Sequence, residues 1–141
     1  MNDFGAARTR DGMLLIARIL LVILFVIFGW KKLTGFTGTV GYFTHLDLPL
    51  PAVAAIIAVV MEFFAGIAIV LGVLTRPIAV LLAVYTIATG FIGHPYWTMT
   101  GVEQVGAMIN FYKNVSITGG FFLLYATGAG KYSVDARIGL A

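Results

Sequence analysis

Glu62 is the one charged residue in the run from Pro51 to Leu74, about twenty-four residues that are otherwise almost entirely apolar. Two cations interrupt other apolar runs: Arg18 between Met13 and Trp30, and Lys113, followed by Asn114, in the stretch from about Val105 to Thr127. A carboxylate held between cations away from water can exchange a proton, because desolvation and the neighbouring charges pull its proton affinity in opposite directions. Two cations over one carboxylate also leave a spare positive charge, which could hold an anionic or carbonyl-bearing ligand such as a quinone oxygen. In that chemistry Glu62 takes the acid/base role, Lys113 and Arg18 the electrostatic role and Asn114 the orienting role. The competing reading is structural: the same four side chains pin helices in register and neutralise one another, and a buried ion pair alone does not decide between the two.

A second concentration of chemistry comprises Trp30, Lys31, His94, Tyr96 and Trp97, each at the end of an apolar run. Aromatic and basic residues there form an anchoring belt at a membrane surface. They also offer a quinone headgroup site in which His94 or Tyr96 bonds a ring oxygen. Other chemistries are excluded. There is no cysteine, so disulfides, thiolate metal sites and CxxC redox chemistry are absent. The two histidines, His45 and His94, support neither a bis-histidine haem nor a metal cluster. Gly128-Ala129-Gly130-Lys131 ends like a phosphate-binding loop, but Tyr125 stands where the first glycine is required and Tyr132 where Ser or Thr is required. Those glycines instead stop a helix, after which Ser133 and Asp135 can cap a short turn.

The elements that position these residues follow from composition. In 141 residues only 11% are charged, against roughly a quarter in a soluble domain, and 60% are apolar. The mean hydropathy is +1.00. The net charge of +3 comes from scattered Lys and Arg, with no basic stripe to track nucleic acid. The expectation is an all-α, membrane-spanning four-helix bundle in one domain, residues 1–141. Its spans lie at about 13–32, 51–74, 77–95 and 105–127. Between the first two, Phe36, Val40, Phe43 and Leu46 recur at helical spacing, which predicts a short interfacial helix. Four crossings put both termini on one side, and Arg8, Arg10, Arg76, Lys131 and Arg137 mark that side as cytoplasmic against Lys31 and Lys32 opposite. At about 1.5 Å per residue, Glu62 falls between the depths of Arg18 and Lys113, so the three are expected to meet in the bundle interior. Ser116 with Gly120 and Ala68 with Gly72 have small-xxx-small spacing, which serves packing within the bundle or a homodimer.

Several of these patterns, in this order, resemble the DoxX family of small bacterial integral membrane proteins. They are Arg18, Gly29-Trp30-Lys31-Lys32-Leu33, Glu62 with Gly66, Gly72-Val73-Leu74-Thr75-Arg76, Lys113-Asn114 followed by Gly119-Gly120, and Gly128 through Asp135. The resemblance covers nearly the whole chain. It implies a four-helix protein of the bacterial cytoplasmic membrane, in a group linked by analogy to quinone or thiosulfate oxidation, respiratory accessory subunits and oxidative-stress complexes. Two functions follow as expectations: a redox-associated protein that binds quinone or a related small molecule, or a non-catalytic subunit or assembly partner of a membrane redox enzyme. A small transporter is a third and would have to dimerise to form a pathway.

Overall fold

The computed structural model describes residues 3–141, and all the regular elements among them are helical. In chain order they are α1 (Asp3–Thr34), α2 (Phe36–His45), α3 (Pro51–Val59), a π-helical turn (Val60–Phe64), α4 (Ala65–Leu71), α5 (Thr75–Gly93), a 3-10 turn (Tyr96–Thr98), α6 (Gly101–Thr127) and α7 (Val134–Arg137). Among the described residues, the stretches Gly5–Thr34, Pro51–Leu71 and Thr75–Thr98 are long and apolar enough to cross a membrane. Helix α6, at 27 residues and about 40 Å, has the length. Its first half carries Glu103, Gln104, Asn110, Lys113 and Asn114, which lower its hydropathy. The short helix expected after the first span is α2, which has no buried residue.

The chain divides into two compact units, one running to Leu74 and including Ala129–Ala141, the other Thr75–Gly128. In the first, α1 is 32 residues long, about 48 Å, and exceeds a hydrocarbon core of about 30 Å. Its buried positions Arg18, Val22 and Phe25, followed by Gly29, repeat at alternating intervals of four and three, a single helical stripe. That stripe lies against the π-helical turn and α4, while α2 packs on α3. Apolar burial drives little association in lipid, so helices must gain contact area through close approach. Gly29 supplies it: a Cβ there would overlap the backbone of Phe63. Pro51 opens α3, where its missing N–H costs nothing, and Leu50 before it is left-handed at φ 49°.

The end of α4 shows how backbone groups are satisfied without water. Gly72 is left-handed at φ 71°; its N–H bonds the Ile69 carbonyl at 3.1 Å and that of Val73 bonds Ala68 at 2.8 Å. This is a Schellman stop, which closes the helix while using its otherwise orphaned carbonyls. The Cβ of any other residue at 72 would overlap Ser133.

The second unit is an antiparallel hairpin of α5 and α6, joined through the 3-10 turn. Ala79, Leu82, Ala83, Thr86 and Gly90 form the buried stripe of α5, and Gly90 meets Asn114 of α6. At its loop end Phe91, Tyr96, Trp97, Phe111 and Tyr112 form a cluster with neighbouring ring centroids 5.2 to 6.0 Å apart.

Candidate functional site

Glu62 sits inside the π-helical turn and is buried. Its Oε1 accepts a hydrogen bond from Lys32 Nζ at 3.0 Å, with 12% of the Glu62 side chain and 26% of the Lys32 side chain exposed. The π turn inserts one extra residue into the second span, and such turns often sit at functional sites. Here it occurs where Gly29 lets α1 touch the Glu62–Phe63 backbone, so the carboxylate is held against α1 at the level of its last turns. Aromatic residues neighbour the pair in sequence. Phe63 is tilted against Trp30 at 5.5 Å and edge-on to Phe64 at 5.2 Å, and Lys32 Nζ lies 5.9 Å from the Phe28 ring centroid. Lys31 points its ammonium over the same Phe28 ring at 5.1 Å. A lysine ammonium has three donors, and Lys32 makes no second hydrogen bond among the described residues. The arrangement is a half-open ion pair: the carboxylate shielded, the cation still able to reach an acceptor.

Arg18, expected beside Glu62, belongs elsewhere. Its guanidinium is 1% exposed and bonds only backbone carbonyls: Nε to Ile69 at 3.1 Å, Nη2 to Val70 at 3.0 Å and Tyr132 at 2.8 Å, and Nη1 to Ala129. Two of these belong to the last turn of α4, whose helix dipole favours a cation. The other two belong to the chain that leaves α6. Gly29 faces Phe63 whereas Arg18 faces Ile69, so about eleven residues of α1, or about 16 Å, separate the two charges. The depth expectation sets Pro51 level with the end of α1, whereas α3 packs on α2, which follows α1, so Glu62 comes level with the last turns of α1; α4 itself stops at Leu71, three residues before the expected end of the span. The Val70 carbonyl and the Ile69 carbonyl, which also accepts the Gly72 N–H, then lie within reach of Arg18.

The same end of the unit is tied together by side chains that draw in the C-terminal segment. Asp135 Oδ1 accepts the Leu74 N–H at 2.7 Å, and the Asp135 N–H bonds the Gly72 carbonyl at 2.9 Å. Asp11 Oδ1 accepts the Lys131 N–H at 3.2 Å, which brings the C-terminal segment onto the early turns of α1. Ser133 caps α7, accepting from the Ala136 N–H at 3.1 Å, as its position after the glycines implied.

In the second unit, Asn114 faces inward and Lys113 does not. Asn114 Nδ2 donates to the Thr86 carbonyl at 3.0 Å and to Thr89 Oγ1 at 3.4 Å. Buried Thr86 Oγ1 has no hydrogen-bond partner. Lys113, one position and 100° around the helix from Asn114, is exposed, and its Nζ donates to Asn110 Oδ1 at 3.1 Å. That corrects the expectation of an inward lysine. The side chain reaches one turn toward the N-terminal end of α6, the way a long cationic side chain snorkels out of hydrocarbon. His94 follows α5 directly, Tyr96 pairs its hydroxyl with that of Tyr112 at 3.3 Å, and Trp97 is half exposed against Phe111. These residues and Asn114 share a unit, whereas Trp30 and Lys31 lie in the other one with Glu62.

The family model described as DoxX matches residues 13–95, a region that contains Arg18, Lys32, the π turn and the Schellman stop. The chain belongs to the DoxX family. This DoxX-family chain is 58% identical over 96% of its length to the inner membrane protein YphA of Escherichia coli, covering 95% of that protein. It is 40% identical to the inner membrane protein YqjF of the same organism, over 91% of this chain and 93% of the relative. A more distant similarity, 28% identity, joins 92% of the chain to 35% of the ER-derived vesicles protein ERV29 of Saccharomyces cerevisiae. No solved structure matches it. It is thus a multi-pass protein of the bacterial inner membrane.

Lys32 is the site residue that sequence reasoning missed, and a signal for it was present. Continuing the stripe Arg18, Val22, Phe25, Gly29 by its own interval lands on Lys32, while Lys31 falls on the outward face. Asp11 left no comparable signal, since its role depends on where the C-terminal segment folds.

Proposed function

We propose that this DoxX-family protein binds a small carbonyl-bearing molecule of quinone type at the Lys32–Glu62 pair, in the setting of membrane redox chemistry. The observation that carries the reading is the 3.0 Å ion pair itself, its acid buried and its base still a quarter exposed. Lys32 has donors to offer a carbonyl oxygen, Glu62 fixes the ammonium and accepts or returns a proton, and Trp30, Phe63 and Phe64 provide flat apolar walls against which a ring can stack. A charge pair at this depth costs free energy on insertion, and a ligand that bonds the cation offsets part of it. We also place both termini in the cytoplasm. The bond between Lys131 and Asp11 puts the C-terminal segment beside the first turns of α1, and Arg8, Arg10, Lys131 and Arg137 supply the positive-inside excess there.

The test is extraction of the protein with native lipid, assay for co-purifying quinone, and comparison with Glu62→Gln and Lys32→Met. Quinone retained by the wild type and lost from both folded variants is the expected result. A quinone-free wild type that co-purifies in fixed ratio with a larger enzyme would overturn the reading in favour of an accessory subunit.

A further inference from the structure

A second polar feature of the first unit lies at the other end of α1 and is independent of the Lys32–Glu62 pair. It is an open groove of about 420 Å³ whose lining includes Arg18, Lys131 and Arg137 together with Leu15, Leu71 and Val134. Three cations line this groove and no carboxylate does. The two acids nearby are engaged by backbone donors: Asp135 Oδ1 by the Leu74 N–H and Asp11 Oδ1 by the Lys131 N–H. Arg18, 1% exposed, is fixed by four carbonyls and feels the charge of Asp135, so the groove's positive character rests chiefly on Lys131 and Arg137.

We propose that this groove is a binding site for the phosphate headgroup of an anionic phospholipid. Three observations favour lipid over a soluble anion. The wall beside the cations is apolar, from Leu15, Leu71 and Val134, and would line an acyl chain or glycerol rather than a hydrated ion. The groove lies where the second span stops, at Leu71, which is the level of headgroups for a helix that crosses the bilayer. The segment that forms its outer edge alternates cations with exposed apolar side chains. Lys131 and Arg137 stand among Tyr132, Val134, Ile138 and Leu140, which are 44%, 37%, 60% and 54% exposed. Such a mixed segment sits in the interfacial zone, with its apolar residues in the acyl boundary and its cations among phosphates. The bound lipid then reinforces the C-terminal segment against α1 and α4, adding an external anion to a site that the chain itself leaves positive.

The experiment uses the full chain in nanodiscs of mixed phosphatidylglycerol and phosphatidylcholine, with retained lipids counted by native mass spectrometry. The wild type is expected to retain phosphatidylglycerol in excess over its share of the bilayer. Lys131→Gln combined with Arg137→Gln should lower that enrichment about tenfold or more, since each removes a charge-assisted hydrogen bond to the bound phosphate. Arg8→Gln combined with Arg10→Gln removes the same charge from positions outside the groove lining and should leave the enrichment within about twofold of wild type. The charge-conserving exchange Lys131→Arg with Arg137→Lys should retain it. Equal losses in the two glutamine pairs would reduce the effect to net charge and overturn the site. So would wild-type protein with no enrichment, or stripping of the lipid by millimolar glycerol phosphate, which would mark a soluble-anion site.

Discussion

Two charges on the inner stripe of α1 have opposite designs. Arg18 is sealed and spends its donors on carbonyls of the main chain, while Lys32, further along the same helix, meets a carboxylate and remains a quarter exposed. Both are cations at positions that a soluble protein would fill with leucine. The difference is what each cation is paired with. Backbone carbonyls cannot take up a proton or move away without undoing α4 and the C-terminal segment, so the Arg18 site is a lock. The Lys32–Glu62 pair lies on a half-open face, and it is the arrangement that the proposed ligand site uses.

The comparison breaks first at Arg18. Arg18→Met leaves the carbonyls of Val70, Ala129 and Tyr132 without the guanidinium donors and that of Ile69 with the Gly72 N–H alone, and a loss of about 3–5 kcal/mol is expected. Thermal unfolding in detergent reads it, and trypsin should cut after Lys131 and Arg137 before the transition because the segment is no longer held. Arg18→Lys should recover only part of the stability, because one ammonium cannot span acceptors arranged around a planar fork. Gly29→Leu comes next. It forces α1 away from the Phe63 backbone, with about 2–3 kcal/mol lost and the Lys32–Glu62 distance lengthened, which a cross-link between α1 and the π turn would register. Gly72→Ala combines a left-handed φ of 71° with overlap on Ser133 and should cost about 1–3 kcal/mol, again with early release of the C-terminal segment. Glu62→Gln has the smallest effect on folding, about 1 kcal/mol or less, because the lysine it abandons is partly exposed and keeps access to solvent or headgroups. A large loss of stability in Glu62→Gln would erase the distinction between the two sites.

How far the sequence spoke depends on the kind of interaction. The helical class, the short α2 and the break at Gly128 are local matters of apolar run, spacing and left-handed glycine, and they are readable; the stop at Gly72 lies inside an apolar run that reads on to Leu74. The Ser133 cap is likewise local and readable. The pairing of charges is not, because it depends on the register between helices, and α3 packs on α2, which brings Glu62 level with the last turns of α1 rather than with Arg18. The π turn at Val60–Phe64 adds a further rotation that no hydropathy pattern discloses. Depth alone therefore points Arg18 at the nearest acid, whereas its hydrogen-bond partners are main-chain oxygens that carry no sequence signature. A charge in lipid usually faces inward, which is the expectation for Lys113. Its neighbour Asn114 holds the inward position, and Asn110 one turn back gives the lysine a way out.

The central claim is that Lys32 and Glu62 form the quinone-type site and that Arg18 takes no part in it. Its most direct test is a titration of a short-chain quinone into nanodisc-embedded wild type and Glu62→Gln, with the melting temperature of each measured on the same sample. The account predicts saturable binding to the wild type, weakened about tenfold or more in Glu62→Gln, with little change in melting. Equal affinity in the two proteins, or no saturable binding in either, would contradict it.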